Sequence, residues 1–349
     1  MIQVRQVTFA EVEDQWREME NSSAVPTVFQ TFDWLQCWSE FLDRTGNMFI
    51  LAVYEGDAVL GIAPLFFRRF SLKGLPLFRI LHIAGAPESD YQSLILRNGR
   101  EEETLAALVR HIAKLRWDIA WFSDLYPETP TDLLLTGFLR REKFSILKKK
   151  HTPCPFIQLP DTFENYRKTL SKNARQNTTK FCNRVERLGS VSYDKISRTE
   201  DIPSAMREFM RLHEQQWQTR GQTGALNTPE VRSFHVAVAQ RLERYLDLRQ
   251  LKIDEKLVAS TYSYDFHGKR GLYLPGLDME YRYYSLGHVM ITYGIRDAIE
   301  NGMEEYDFMR GDEKYKYHFT KVERYNSALY FSRNKMKFDI FKLLERTSI

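Results

Sequence analysis

Three groups of side chains in this 349-residue sequence have types and spacings that could do chemistry. The first is basic. Residues 140–150 carry a net +5 (Arg140, Arg141, Lys143, Lys148, Lys149 and Lys150 against Glu142), and residues 164–188 another +5, in a chain whose total is +4. A basic middle in an otherwise acidic protein suits a phosphate-bearing partner: nucleic acid, an anionic lipid headgroup or a nucleotide. Lys168, Lys172 and Arg175, at i, i+4 and i+7, share one face of a helix predicted over 164–188 and suit phosphate contact. The second group is Arg282-Tyr283-Tyr284-Ser285-Leu286-Gly287-His288. Apolar residues recur at Leu286, Val289, Met290 and Tyr293, so a helix begins there, and Ser285 can cap it or offer its hydroxyl to a phosphate. The third is Asp312, Tyr315, Lys316 and Tyr317, with Asp278 and Asp90 as further carboxylates. A carboxylate that is partly desolvated has its pKa raised toward that of a general base. His213 and Glu214, on an amphipathic helical pattern before Trp217 and Arg220, could line a pocket.

Other chemistries are absent from the sequence. There is no Gly-x-x-x-x-Gly-Lys-Ser/Thr, no Gly-x-Ser-x-Gly and no His-Glu-x-x-His. The 8 histidines are scattered and argue against a metal. Cys37, Cys154 and Cys182 fit neither a disulfide framework nor a zinc site and suit a reducing compartment. The longest apolar run, Ala58 to Phe67, is about half of the ~20 residues a membrane-spanning helix needs. The N-terminus lacks a signal-peptide apolar core, so the expectation is a soluble cytoplasmic protein. With 43% hydrophobic and 28% charged residues the chain is globular, and its length suggests two domains.

The elements that must position these groups are written twice. Ile2–Val7 alternates as a strand, and helical patterns follow over Phe9–Met19 and around Phe32, Trp34, Leu35, Trp38 and Phe41. Strands Phe49–Tyr54 and Ala58–Phe67 are joined by Glu55-Gly56-Asp57, a hairpin signal. A strand at Phe78–Ala84, a helix at Glu101–Trp117 and a strand at Asp118–Ser123 complete the half. The second half repeats the order: strand Val191–Ile196, helices Asp201–Gln218 and Pro229–Tyr245, and a hairpin through Asp254-Glu255-Lys256. Strand Gly271–Leu277, helix Gly287–Asn301 and strand Glu305–Met309 follow. The boundary is expected near Thr152-Pro153-Cys154-Pro155 or at Pro160-Asp161, giving domains 1–160 and 161–349, the second opening with the basic helix.

A repeated β-α-α-β-β-β-α-β unit resembles the GNAT acyltransferase fold. The resemblance implies an α/β architecture of two tandem GNAT-like units, each a mixed, mostly antiparallel sheet flanked by helices. That superfamily carries Gln/Arg-x-x-Gly-x-Gly/Ala between its fourth strand and the next helix, where backbone N–H groups hold the coenzyme A pyrophosphate. Arg282 and Gly287 fit the pattern, and Ser285 stands where the first Gly is expected. The first half has Gly85-Ala86-Pro87-Glu88-Ser89-Asp90-Tyr91 at the corresponding place, with a proline and two carboxylates unsuited to a pyrophosphate. Only the second unit is therefore expected to bind coenzyme A.

The whole chain is also similar to the CelD-like double-GNAT acyltransferases associated with bacterial cellulose and exopolysaccharide loci, relatives of the Fem aminoacyl-transferases. The similarity rests on Phe29-Gln30-Thr31-Phe32-Asp33-Trp34, Gly85 through Tyr91, Leu170-Ser171-Lys172-Asn173-Ala174-Arg175 and Trp217-Gln218-Thr219-Arg220-Gly221. Tyr284-Ser285-Leu286-Gly287 and Tyr306 through Lys316 complete it, with Leu286 departing from the Pro often seen there. It implies transfer of an acyl group from a coenzyme A thioester (acetyl or longer) to an amine. It also assigns roles. Arg282, Ser285, Leu286, Gly287 and His288 hold the cofactor, and the backbone of Leu272, Tyr273 and Leu274 stabilises the oxyanion. Tyr315 protonates the thiolate, with Lys316 or Tyr317 as substitutes, and Asp312, Asp278 or Asp90 is the base. Lys172, Arg175, Trp217, Arg220 and Tyr91 are the expected acceptor contacts. The acceptor is a small-molecule, sugar or lipid amine, with peripheral contact at the inner membrane surface as a further expectation. A Fem-like transferase using aminoacyl-tRNA, and a non-catalytic double-GNAT binding module, are the alternatives, and nucleic acid is a partner only under the first.

Overall fold

The computed structural model describes residues 1–22, 24–72, 75–219 and 221–347. Contacts divide the chain into two units, one of residues 1–152 with 325–349 and one of residues 153–324. The first contains β1 (Ile2–Val7), α1 (Phe9–Met19), α2 (Phe32–Phe41), β2 (Met48–Glu55), β3 (Ala58–Leu72), β4 (Leu75–Ile83) and the two-residue β5 (Ile95–Leu96). It continues with α3 (Glu101–Ile112), β6 (Ile119–Leu125), α4 (Pro130–Arg141) and the start of β7 (Ser145–Gln158). The second contains the rest of β7, then α5 (Phe163–Thr169), α6 (Lys172–Glu186), β8 (Val191–Lys195), α7 (Ile202–Gln218) and α8 (Pro229–Arg241). There follow β9 (Leu246–Ile253), β10 (Lys256–Phe266), β11 (Lys269–Leu277), α9 (Leu286–Glu300) and β12 (Glu305–Asp307). From Tyr325 onward, β13 (Glu323–Ser332) and α10 (Lys335–Thr347) return to the first unit.

Both sheets have one order. In the first unit it is β1-β2-β3-β4-β6-β13, and in the second β8-β9-β10-β11-β12-β7. A single parallel pair sits in the same place in each: β4 with β6, and β11 with β12. Every other neighbour pair registered along these two orders is antiparallel. The expected β-α-α-β-β-β-α-β repeat is therefore present, and each unit's sheet is closed by a strand remote in sequence.

Local chemistry explains the elements. The hairpin turns rest on left-handed residues, Gly56 at φ 61° and Asp254 and Glu255 at 46° and 63°. Threonine side chains cap α2 (Thr31), α4 (Thr129) and α8 (Thr228). In the first unit, Leu105, Leu108 and Ile112 of α3 pack on Leu51, Leu65, Leu81 and Ala120 of the sheet. In the second, Ile291, Ile295 and Ala298 of α9 pack on Leu272 and Tyr306.

Two expectations need correction. The basic helix over 164–188 is two helices. Leu170 is extended (φ −74°, ψ 148°) and buried with Tyr166, and Ser171 restarts the helix by accepting from the Ala174 N–H. Lys168 thus ends α5 while Lys172 and Arg175 begin α6, so the three do not share one face. The stretch Thr152-Pro153-Cys154-Pro155 lies inside β7 and is no linker. The Pro153 and Pro155 carbonyls accept from the N–H groups of Gly311 and Phe308, and of the two places expected for a boundary the contact divide falls at the first, 152/153. Among the described residues no helix is long and apolar enough to cross a membrane.

Candidate functional site

In the second unit β11 and β12 pair only from Lys269–Gly271 to Glu305–Asp307. β11 then runs on to Leu277, while the chain after Asp307 turns toward β7, with Phe308 N donating to Pro155 O (3.0 Å) and Gly311 N to Pro153 O (2.8 Å). The two strands diverge and leave a notch beside Leu272, Tyr273 and Leu274. A bulge marks this place: Leu272 opposes Ser263 and Leu274 opposes Tyr262, so Tyr273 is the extra residue. Parallel strands that part at their C-terminal ends make the crevice in which open α/β sheets bind ligands.

The lip of the notch is built from the loop after β12. Met309 takes φ 58°, its N–H donating to Asp307 Oδ1 (2.7 Å), and its side chain lies over Gly271, where a Cβ would collide with it. Lys316 is only 3% exposed. Its Nζ donates to the carbonyls of Met309 (3.3 Å), Arg310 (2.7 Å) and Gly311 (3.4 Å) and pairs with Glu313 (2.8 Å). Lys316 is thus the clasp of this loop, all its protons committed. Tyr315, beside it, is 36% exposed, and Asp312 is exposed. Tyr317 donates its hydroxyl to Glu323 (2.6 Å).

At the other lip α9 begins. Ser285 is left-handed (φ 57°, ψ 43°) and its side chain caps nothing. Its carbonyl takes the N–H groups of His288 and Val289, so among the described residues those of Leu286 and Gly287 are left at the helix start without a cap. A Cβ on Gly287 would come within 3.3 Å of Leu277. His288 does not meet the expectation of a phosphate contact: its N–H is used inside the helix. Its ring lies 4.4 Å from that of Phe319, with Nε2 3.3 Å from Thr178 Oγ1. Burial pushes its pKa down to about 4, with His318 adding to the effect. Arg282 is exposed, its guanidinium 4.6 Å from the Tyr283 ring.

On the opposite sheet face α7 approaches so closely that a Cβ on Gly276 would meet Phe209 O at 2.8 Å. His213 of α7 pairs through Nδ1 with Pro275 O (2.8 Å), which fixes the proton on Nδ1. Its buried Nε2 has no partner, and burial lowers its pKa. Trp217 is half-buried, its ring 6.1 Å from that of His213. Arg220 lies outside the described residues. Lys172 is exposed, and Arg175 donates to Leu170 O (3.3 Å).

Asp90 and Tyr91 belong to the first unit, the other expected residues to the second. There the place corresponding to the notch is filled by the chain itself. Gln92 bridges in parallel to Leu125, its N–H donating to Asp124 O (2.7 Å) while its carbonyl accepts from Tyr126 N (2.8 Å). Tyr91 is 1% exposed, its ring packed against Tyr126 and Phe29, which makes it core instead of an acceptor contact. The buried Asp90 carbonyl accepts from Asn326 (2.8 Å).

Sequence reasoning missed a buried ion network beneath the notch. Arg270 is bidentate to Asp265 (both 2.7 Å) and reaches Asp297 (2.6 Å), while Arg249 joins Asp247 (2.9 Å) to Asp297 (2.5 Å). It ties β9, β10 and β11 to α9. Among the described residues no His, Cys, Asp and Glu gather as metal ligands.

The family model described as an acetyltransferase (GNAT) domain matches residues 172–317. No curated protein sequence matches the chain. Among solved structures, FemX superposes with a TM-score of 0.64 at 12% identity, over 97% of this chain and 99% of that one. The C-terminal domain of a putative lysylphosphatidylglycerol synthetase from Agrobacterium fabrum gives 0.58 at 10%, over 97% and 96%. A conserved protein of unknown function from Bacteroides thetaiotaomicron gives 0.56 at 13%, over 95% and 100%. At such identities the likeness is one of fold: this is a mixed α/β, GNAT-like acyltransferase fold.

Proposed function

We propose that the chain is an acyl-CoA-dependent N-acyltransferase of the CelD-like kind, acylating an amine of a cell-envelope, polysaccharide or lipid precursor. The observation that carries this reading is the asymmetry of the two notches: open beside an uncapped helix start in the second unit, filled by Gln92 in the first. The open notch and the N–H groups of Leu286 and Gly287 fit a thioester arm ending in a pyrophosphate. When bound, the thioester supplies an acyl carbon activated toward amines. The chain's own part is to bind, orient and move protons. Backbone N–H at Leu272–Leu274 faces the developing oxyanion. Tyr315 Oη gives a proton to the departing sulfur, and Asp312 takes one from the acceptor ammonium. Lys316 positions the loop that carries both. Lys172 at the open end of α6 suits an anionic lipid surface on the cytoplasmic face of the membrane.

The test is release of free thiol from acetyl-CoA and longer acyl-CoAs in the presence of amino sugars and sphingoid amines. Acceptor-dependent thiol release is the expected result. Calorimetric binding of coenzyme A with no release from any amine would leave a binding module. Release only of deacylated tRNA would assign Fem-like transfer.

A further inference from the structure

The roles given above leave the basic residues 140–150 unused, and these lie in the first unit. Leu147 packs into the cluster of Phe78, Tyr330, Phe338 and Phe341, on the sheet face that α10 covers, and Lys149 Nζ stands 5.1 Å from the Tyr330 ring. A second basic run reaches the same cluster. Residues 58–87 hold Arg68, Arg69, Lys73 and Arg79 and no acid. The registered pairing of β3 with β2 ends at Phe66, and that of β4 with β6 at Ile80. β3 and β4 run on as a two-stranded ribbon, Phe70 opposite Phe78 and Leu72 opposite Leu75, with Leu77 the extra residue of a bulge. Such a ribbon is marginal alone, and α10 braces it. The Phe341 ring lies 6.2 Å from Phe70 and 5.7 Å from Phe78, and Lys337 pairs with Asp118 (2.5 Å).

α10 is apolar on two sides. Phe338 and Phe341 pack toward the sheet, while Met336, Ile340 and Leu343, at i, i+4 and i+7, form an exposed row. On the ribbon Leu75 is 68% exposed, and Leu77 is exposed beside it. Five of the ten large hydrophobic side chains exposed among the described residues thus lie on this helix and the ribbon it braces. A single exposed leucine needs no partner, but a cluster on packed elements marks a contact surface. Charge selects the partner. Residues 333–343 add Arg333, Lys335, Lys337 and Lys342 against Asp339, so this segment and residues 58–87 together carry +7. A second copy of the chain would set the patch against itself and oppose like charges. Strand addition to the ribbon is opposed by Pro76, which has no N–H to offer. Nucleic acid would meet the arginines, but these aliphatic side chains give its bases no ring to stack on. An anionic bilayer takes both features: its headgroups attract the lysines and arginines, and the acyl boundary buries the apolar side chains.

We infer that α10 and the β3–β4 ribbon form a surface by which the first unit docks on an anionic lipid bilayer, with Leu75, Leu77, Met336 and Ile340 entering the headgroup region. This extends the lipid contact given to Lys172 of the second unit and is independent of the transfer reaction. The test is sedimentation of the full chain with phosphatidylcholine vesicles, with and without phosphatidylglycerol, at low and high salt. Phosphatidylglycerol vesicles should bind at least about tenfold more tightly than neutral ones, and high salt should release the chain. Two serine pairs, Leu75→Ser with Leu77→Ser and Met336→Ser with Ile340→Ser, should each weaken binding at least about tenfold, as loss of buried apolar area requires. Arg68→Ala with Lys335→Ala, both exposed, should do the same and flatten the salt dependence. Should a variant fail to fold, Leu75→Cys carrying a polarity-sensitive dye decides, since Cys37, Cys154 and Cys182 are buried. Its emission should shift blue on phosphatidylglycerol vesicles and stay unmoved on neutral ones. Equal binding to both vesicles, binding indifferent to the folded variants, or binding lost only in Lys172→Ala would overturn the inference. A lipid-free dimer that Met336→Ser with Ile340→Ser dissociates would give the surface to a second copy. Oligonucleotide binding lost in the Arg68 pair, without vesicle binding, would give it to nucleic acid. Thiol release from acyl-CoA with a water-soluble amine should be unchanged in all these surface pairs. Vesicle docking by a chain with no acyl-CoA turnover would keep the surface and remove the reaction, and turnover without docking would do the reverse.

Discussion

Tyr315 and Lys316 are neighbours in sequence with opposite surroundings, and their substitutions should separate chemistry from support. Tyr315 is partly exposed at the notch, so Tyr315→Phe removes one hydroxyl and little packing. As a general acid it is worth about 10²–10⁴-fold, so kcat should fall in that range with acyl-CoA affinity barely moved. An unchanged kcat, with chemistry rate-limiting, would pass the role to Tyr317 or solvent. Lys316→Met should instead strand the carbonyls of Met309, Arg310 and Gly311, a loss of about 1–3 kcal/mol visible as a lower urea midpoint. A variant of unaltered stability that has lost turnover would restore Lys316 as the acid. The sequence placed both residues after the last strand of the repeat, but nothing in Tyr315-Lys316 told exposed from buried. That distinction comes from where Met309 turns left-handed and aims three carbonyls at one ammonium. Histidines make a second residue-scale prediction. Burial holds His82 and His288 near 4 and His235 near 3, against about 6.5 when unfolded. Folded-state values that are depressed mean the unfolded chain binds more protons in this window, so stability is full above about 6.5 and falls as pH drops toward 4. His82→Phe, whose ring would keep the stack on Phe66, should flatten part of that slope in urea titrations run from pH 7 to 4. An unaltered slope would show that His82 is charged when folded.

At the scale of elements, the start of α9 carries the next prediction. A Cβ added at Gly287 would lie only 3.3 Å from Leu277, so Gly287→Val must push its branches toward the free N–H groups of the helix start. Coenzyme A affinity should fall at least about tenfold, equivalent to 1.4 kcal/mol, in a calorimetric titration. An unchanged Kd would place the pyrophosphate elsewhere. Helix and hairpin positions were legible because their signals are local: apolar spacing at Leu286, Val289, Met290 and Tyr293, and turn residues at Gly56 and Asp254. The break in the basic helix was legible too, since Ser171 three residues before Ala174 is a capping position, but the run of charge on either side masked it. The filling of the first notch was foreseen only as unsuitable chemistry at Pro87, Glu88 and Asp90. Its physical cause, Gln92 zipping along β6, is a pairing between residues 33 apart that no short-range pattern announces. The ion network was hidden for a like reason: Asp297 of α9 lies 27 or more residues along the chain from Asp247, Arg249, Asp265 and Arg270, and only the packing of α9 on the sheet brings it to the two arginines.

At the scale of the molecule, the C-terminal return decides what can fold. β13 pairs with β6 through Ser327 to Leu125, Leu329 to Phe122, Tyr330 to Trp121 and Phe331 to Ala120. Ala328, Leu329, Tyr330 and Phe331 are buried in the first unit, together with Phe338 and Phe341 of α10. A boundary drawn from sequence at 160/161 assigns these residues to the wrong unit, because strand closure across two hundred residues leaves no periodicity to read. The consequence is measurable. A chain ending at Arg324 keeps every residue of the second unit and removes a central partner of β6, leaving that strand's edge and the apolar cores around Phe122 and Phe78 exposed. Burying a large apolar side chain stabilises by about 1.5–3 kcal/mol, so losing Leu329, Tyr330, Phe331, Phe338 and Phe341 removes about 10 kcal/mol, comparable to a whole domain's stability. Limited proteolysis of the truncated chain should therefore cut first within residues 1–152, with peptide mass mapping placing early sites in β3, β4 and β6. Amide exchange should lose protection there before it does in β9–β11. Protection of β6 equal to that of the full-length chain would mean that the first unit closes its sheet without β13, and the division at 324/325 would then be wrong.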